Sequence, residues 1–169
     1  MMIKCVFLDR DGVINSERGD YTYLPEDFIL IDGVYEAIDL IKSAGYLAIV
    51  ITNQAGISKG LYTRDEMNEC HQLMLENLSE IDAVYYSPYH PDQTLSLSRK
   101  PDSLLFEKAI AKFSIDPEFS WMVGDRERDL IPAKKLNMKT VLIGTEPSTF
   151  SDHHAVDLLQ AVKEIILNV

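Results

Sequence analysis

Short, β-branched apolar runs recur along the chain at Ile3–Leu8, Leu47–Ile51, Ala83–Tyr86, Ser120–Val123 and Thr140–Ile143, and runs this short and this apolar read as buried strands. The segments between them are amphipathic. Val34–Ser43, Arg64–Leu78, Ser103–Phe113 and Leu130–Leu136 predict helices, with a last one near Val156–Leu167. Thr63-Arg64-Asp65-Glu66 has the form of a capping box, Thr63 at the cap and Glu66 at the third helical position. Gly45 ends the first helix and turns the chain into the next strand. Pro132 falls in the first turn of its helix if Asp129 is the cap. Strands alternating with helices at this spacing predict an α/β fold whose parallel sheet is covered on both faces. With no repeat, low-complexity tract or linker, residues 1–169 are expected to form one domain. Sheets of this kind bind ligands beyond the carboxyl ends of their strands.

The charge narrows the partners. A formal net charge of -11 over 169 residues disfavours nucleic acid and anionic membrane surfaces, but leaves room for an anionic small molecule in a local positive pocket. Cys5 and Cys70 are the only cysteines and read as reduced core thiols. The apolar N-terminal run is cut off by Asp9, too early for a signal peptide, and no run approaches the roughly 20 residues of a membrane span. A soluble, cytoplasmic monomer acting on a small metabolite is the expectation.

Polar groups of chemical interest gather at four strand ends. The first strand stops at Asp9-Arg10-Asp11-Gly12, two carboxylates one residue apart, a conflict resolved by a divalent cation or by a proton on one of them. The second runs into Thr52-Asn53-Gln54. Arg99-Lys100-Pro101 precedes the third helix, and Gly124-Asp125-Arg126-Glu127-Arg128-Asp129 follows the fourth strand. Each alone could be an ordinary turn, loop start or solvated charge. Their common position at strand exits is hard to explain as turns.

In this order the motifs resemble those of the haloacid dehalogenase (HAD) superfamily of phosphotransferases. Phe7–Asn15, Asp32-Gly33-Val34, Thr52–Ile57, Lys59-Gly60, Tyr85-Tyr86 and Arg99-Lys100-Pro101 are similar in particular to D-glycero-D-manno-heptose 1,7-bisphosphate phosphatases, whose subfamily also holds histidinol-phosphate phosphatases. The resemblance spans about Ile3 to Ile143. It implies a HAD-like, Rossmannoid three-layer sandwich and a Mg²⁺-dependent phosphatase working through an aspartyl-phosphate. By that resemblance Asp9 is the nucleophile and Asp11 the acid and base. Thr52 and Lys100 hold the phosphoryl group. Mg²⁺ sits on the Asp9 side chain, the Asp11 backbone carbonyl and Asp125, with Asp129 behind it or capping its helix. Asn53, Gln54, Arg99 and Arg126 match substrate contacts, and Glu17–Tyr21 matches a substrate-side loop. Only about ten residues separate Gly12 from Tyr23 and the Gln54–Ser87 segment is mostly one helix, so little or no cap domain is expected.

One departure stands out. The similar phosphatases commonly carry a zinc loop before Arg-Lys-Pro, and here its ligand positions are Ser87, Tyr89, Ser96 and Ser98. Neutral hydroxyls do not replace thiolates around Zn²⁺, so zinc is not expected, and His90 alone makes no structural site. His153-His154 reads as a polar surface turn. Histidinol phosphate is the alternative substrate. A receiver-like signalling module is the alternative class, disfavoured because the third strand runs into Ser87-Pro88 without an acid to phosphorylate.

Overall fold

A computed structural model describes residues 3–168. The strands are β1 (Lys4–Leu8), β2 (Tyr46–Asn53), β3 (Ala83–Ser87), β4 (Trp121–Gly124), β5 (Lys139–Ile143) and β6 (His153–Ala155). They form a six-stranded sheet in the order β3-β2-β1-β4-β5-β6, with every pairing parallel. The chain therefore winds outward from β1 to β3, crosses back to β4 and winds out the other way. The order reverses between β1 and β4, which opens a crevice at their carboxyl ends.

Alternation along the strands builds two cores. Val6, Leu8, Ala48, Val50 and Val123 face α1 (Val34–Ser43), α2 (Arg64–Asn77) and the C-terminal helix. Cys5, Phe7, Ile49, Ile51 and Met122 face α3 (Leu104–Phe113) and α4 (Glu127–Lys135). Both faces of the central strands are covered, which is why these strands read as continuous apolar runs and not as alternating ones. The Thr63–Glu66 capping box forms as expected. No segment of domain size is inserted between β1 and α1 or between β2 and α2. Among the described residues no helix is long and apolar enough to cross a membrane.

Three expectations change. The helix after β4 starts at Glu127, so Arg126 is the cap residue and Asp129 lies inside the first turn, its carboxylate accepting the Arg126 N–H at 3.0 Å. Pro132 consequently sits in the helix interior. His153-His154 is not a turn: it belongs to β6, a three-residue edge strand paired to Val141 and Leu142. So short and polar a strand carries no apolar signature, because its pairing to β5 and not its own side chains defines it. The last helix is α5 (Leu158–Gln160), capped by Asp157 and continued as a π-helical stretch over Ala161–Ile166.

Candidate active site

The crevice between β1 and β4 gathers the polar strand ends. Asp9 follows β1 directly, and its backbone N–H continues the ladder to the Val123 carbonyl at 3.0 Å. Asp125 follows β4. Gly12 lets the two approach: its φ is +85°, and a Cβ there would lie 2.5 Å from Asp125 Oδ2. Gly124 is equally constrained, since a Cβ would meet Asp129 Cβ at 2.4 Å.

Carboxylate oxygens of Asp9, Asp125 and Asp129 lie within 4.8 Å of one another, the one such cluster of acidic, His or Cys side chains among the described residues. Lys100 is buried beside them, its Nζ 2.9 Å from Asp9 Oδ1, 2.7 Å from Asp129 Oδ1 and 2.7 Å from the Ile51 carbonyl. Three carboxylates against the Lys100 ammonium and the more exposed Arg126 guanidinium, which pairs with Asp125, leave negative charge in excess. Burial, then the Asp129 charge, pushes the Asp9 carboxyl up to about 7 even though Lys100 pulls it down. Burial and Asp129 likewise raise Asp125 to about 6. Burial alone would lower Lys100, but Asp129 and Asp9 outweigh it and raise its proton affinity. An oxygen-only donor set with uncompensated negative charge fits a hard divalent cation, which would relieve this strain.

The sequence assigned Lys100 to a phosphoryl oxygen. Here its Nζ donates to the Ile51 carbonyl and its charge lies between two carboxylates, so Lys100 ties Asp9 to Asp129. Asn53 has protein partners too. Its amide accepts from the Lys100 N–H and donates to the Lys100 carbonyl, both at 3.0 Å, so it braces the lysine's backbone.

Asp11 lies outside the carboxylate cluster, in a separate network. Its Oδ1 accepts from Arg10 Nη2 at 3.0 Å and Asn15 Nδ2 at 2.9 Å, and its Oδ2 from Gln54 Nε2 at 3.2 Å. Gln54 Nε2 also donates to Thr52 Oγ1, and the Tyr62 hydroxyl donates to Gln54 Oε1 at 2.7 Å. Arg10, Asn15 and Tyr62 were not singled out by sequence reasoning.

A polar cavity of about 370 Å³ opens beside Asp11, lined also by Glu17, Asp20, Tyr21, Thr22, Asn53, Gln54, Arg126 and Arg128. The Glu17–Tyr21 segment is thus at the site, with Tyr21 and Tyr23 packed on Tyr62. Arg126 is in the lining and pairs with Asp125 at 3.3 Å. Arg99 is not in it. Its Nη1 donates to the Tyr89 carbonyl at 3.1 Å, and burial and the nearby Arg128 charge lower its proton affinity.

The serines that stand where a zinc loop was considered converge. Ser98 Oγ shares hydrogen bonds with Ser87 Oγ at 2.9 Å and Ser96 Oγ at 2.8 Å, closing the loop back onto the end of β3.

The chain is similar to known proteins along nearly its whole length. Residues 97–163 match the HAD-hydrolase-like family. The D-glycero-D-manno-heptose-1,7-bisphosphate 7-phosphatase of Chlorobaculum tepidum is 36% identical over 97% of this chain and 94% of its own length. The D-glycero-beta-D-manno-heptose-1,7-bisphosphate 7-phosphatase of Haemophilus ducreyi is 37% identical over 84% of each chain. The crystal structure of D,D-heptose 1,7-bisphosphate phosphatase from B. bronchiseptica, complexed with magnesium and phosphate, superposes with a TM-score of 0.88 at 25% identity, covering 99% of this chain and 100% of that one.

Proposed function

The chain belongs to the HAD-type phosphatases, in the group named for D-glycero-D-manno-heptose 1,7-bisphosphate, and from that premise we propose that it releases the 7-phosphate of this sugar with Mg²⁺. The observation that carries the reading is the cluster of buried Asp9 and Asp129 with half-buried Asp125 around Lys100, next to a polar cavity that Asp11 lines.

Asp9 Oδ1 is held by the Arg10 backbone N–H at 2.8 Å and by Lys100, which leaves Oδ2 to attack phosphorus. The new bond is an aspartyl-phosphate. The bond from phosphorus to the sugar oxygen breaks, and the Asp11 carboxyl gives that oxygen its proton. The Asp11 carboxylate then takes a proton from the water that attacks the aspartyl-phosphate, which frees Asp9 and inorganic phosphate. Asp9, the Asp11 carbonyl and Asp125 would hold Mg²⁺, which would supply the positive charge that lets one anion approach another. Thr52 Oγ1 accepts from Gln54, so its own hydrogen is left for a phosphoryl oxygen. Lys100 adds charge and fixes Asp9, and Asp129 holds Lys100 and the start of α4. Arg126 and Arg128 in the cavity lining suit the phosphate that stays on the sugar. Arg99 serves this wall indirectly, through the loop it tethers. Two buried free thiols suit a cytoplasmic enzyme, and we take the working unit to be the monomer.

The test is phosphate release from both anomers of heptose 1,7-bisphosphate and from histidinol phosphate, before and after chelation. Heptose bisphosphate should be preferred by at least about tenfold in kcat/KM, the low end of what one charged contact provides. Chelation should abolish turnover, Mg²⁺ should restore it, and metal analysis should find no stoichiometric zinc. Preference for histidinol phosphate, or full activity without metal, would overturn the proposal.

A further inference from the structure

Arg10 is a costly residue in its position. It is fully buried, with its guanidinium 5.7 Å from the Phe28 ring, and its Nε and Nη1 have no hydrogen-bond partner in the protein. An apolar side chain of similar volume would fill that space without a buried charge. Its contacts show where the expense goes. Nη2 donates to Asp11 Oδ1 at 3.0 Å and to the carbonyl of Thr22, a cavity-wall residue, at 2.6 Å. Asn15, also fully buried, brings Nδ2 to the same Asp11 oxygen at 2.9 Å. The backbone supports this arrangement, since the N–H groups of Ile14 and Asn15 donate to the Arg10 carbonyl and that of Gly12 to the Asn15 carbonyl.

We infer that Arg10 and Asn15 are positioning residues that clamp Oδ1 of Asp11 and thereby aim its carboxyl group at the departing sugar oxygen. The inference rests on the proposed role of Asp11 as the proton donor. Two donors fill Oδ1, whereas Oδ2 has only the Gln54 amide, so Oδ2 is the oxygen with capacity left for the proton in transfer. Through Thr22, the same guanidinium ties the carboxyl group to the wall against which the substrate lies.

The leaving group separates this role from a structural one. A sugar alkoxide needs a proton to depart and p-nitrophenolate does not, and kcat/KM reads only the steps up to that departure. Asp11→Asn should lower kcat/KM for heptose bisphosphate by about 10²–10⁴ and for p-nitrophenyl phosphate far less. Arg10→Met should show the same bias, about 10- to 100-fold against less than about threefold, as a partial loss of that term. Added to Asp11→Asn, Arg10→Met should cost nothing further, since there is no longer an acid to aim. Equal losses on the two substrates, or an undiminished effect in the Asp11→Asn background, would overturn the clamp. If Asp11→Asn itself hits both substrates alike, the acid role fails instead, and the two failures are told apart. Asn15→Ala, a smaller lesion at the same oxygen, decides the matter by the same ratios if Arg10→Met does not fold. Failure of both variants to fold would make these residues purely structural and overturn the inference.

Discussion

At φ +85°, Gly12 holds a conformation that costs other residues roughly 1–2 kcal/mol, and its missing Cβ is what lets Asp125 Oδ2 come close. Gly12→Ala should therefore do more than strain the turn. The added methyl must displace the Asp125 carboxylate, so the Mg²⁺ concentration needed for half-maximal activity should rise at least about tenfold, the loss expected for a disturbed metal shell. Thermal stability should fall only by the conformational term. Titration of activity with Mg²⁺, beside a melting curve, checks both; unchanged Mg²⁺ dependence would show that the methyl is accommodated elsewhere. At this scale the sequence was most legible. Two acids and a glycine at the end of an apolar run imply a crowded anionic turn whatever the fold. Less legible was how each polar side chain spends its hydrogen bonds. Lys100 and Asn53 look from sequence like ligand contacts, and the fold gives each of them protein partners as well.

Among the elements, the loop from Ser87 to Ser98 is closed by a chain of hydroxyls. Ser87 is fully buried, and Ser98 is the hydroxyl that links it to Ser96. Ser98→Ala removes both bonds and leaves Ser87 Oγ without that partner. This should cost about 1–3 kcal/mol of local stability, read as roughly 5- to 150-fold faster amide exchange over residues 88–98. Unchanged exchange would mean that Tyr89–Arg99 and other loop contacts suffice. Sequence reasoning recognised the absent cysteines but not the clasp, because serines eleven residues apart carry no pairing signal until β3 and α3 place them. The same limit explains the helices. The start of α1 was found at Val34, where the apolar period begins. The start of α4 was missed by three residues, because Glu127-Arg128-Asp129 offers no apolar stripe and Asp129 resembles a cap residue whether it precedes the helix or folds back onto it.

For the molecule as a whole, strand and helix alternation foretold a parallel sheet. The reversal between β1 and β4, which brings Asp9 beside Asp125, needs the strand order and is not written in any one segment. That juxtaposition stores a charge conflict with a consequence for global stability. Without metal, Asp9 titrates near 7 and Asp125 near 6, both above the ordinary carboxylate value of 3.8. A raised folded-state value means that between about pH 4 and 7 the native protein holds protons the unfolded chain has already released. Their contribution to stability is therefore greatest on the acid side and declines as pH rises through that window. Asp9→Asn removes one of the two sources, so its metal-free melting temperature should fall less between pH 5 and 7.5 than that of the parent protein. Mg²⁺ at the proposed site would act in the opposite sense, because it would bind the ionised carboxylates and have to displace protons from them at low pH. The rise in melting temperature on adding a fixed Mg²⁺ concentration should accordingly be larger at pH 7.5 than at pH 5.5, and small at either pH in Asp125→Asn. An equal Mg²⁺ shift at both pH values would mean that the cation does not bind at these carboxylates.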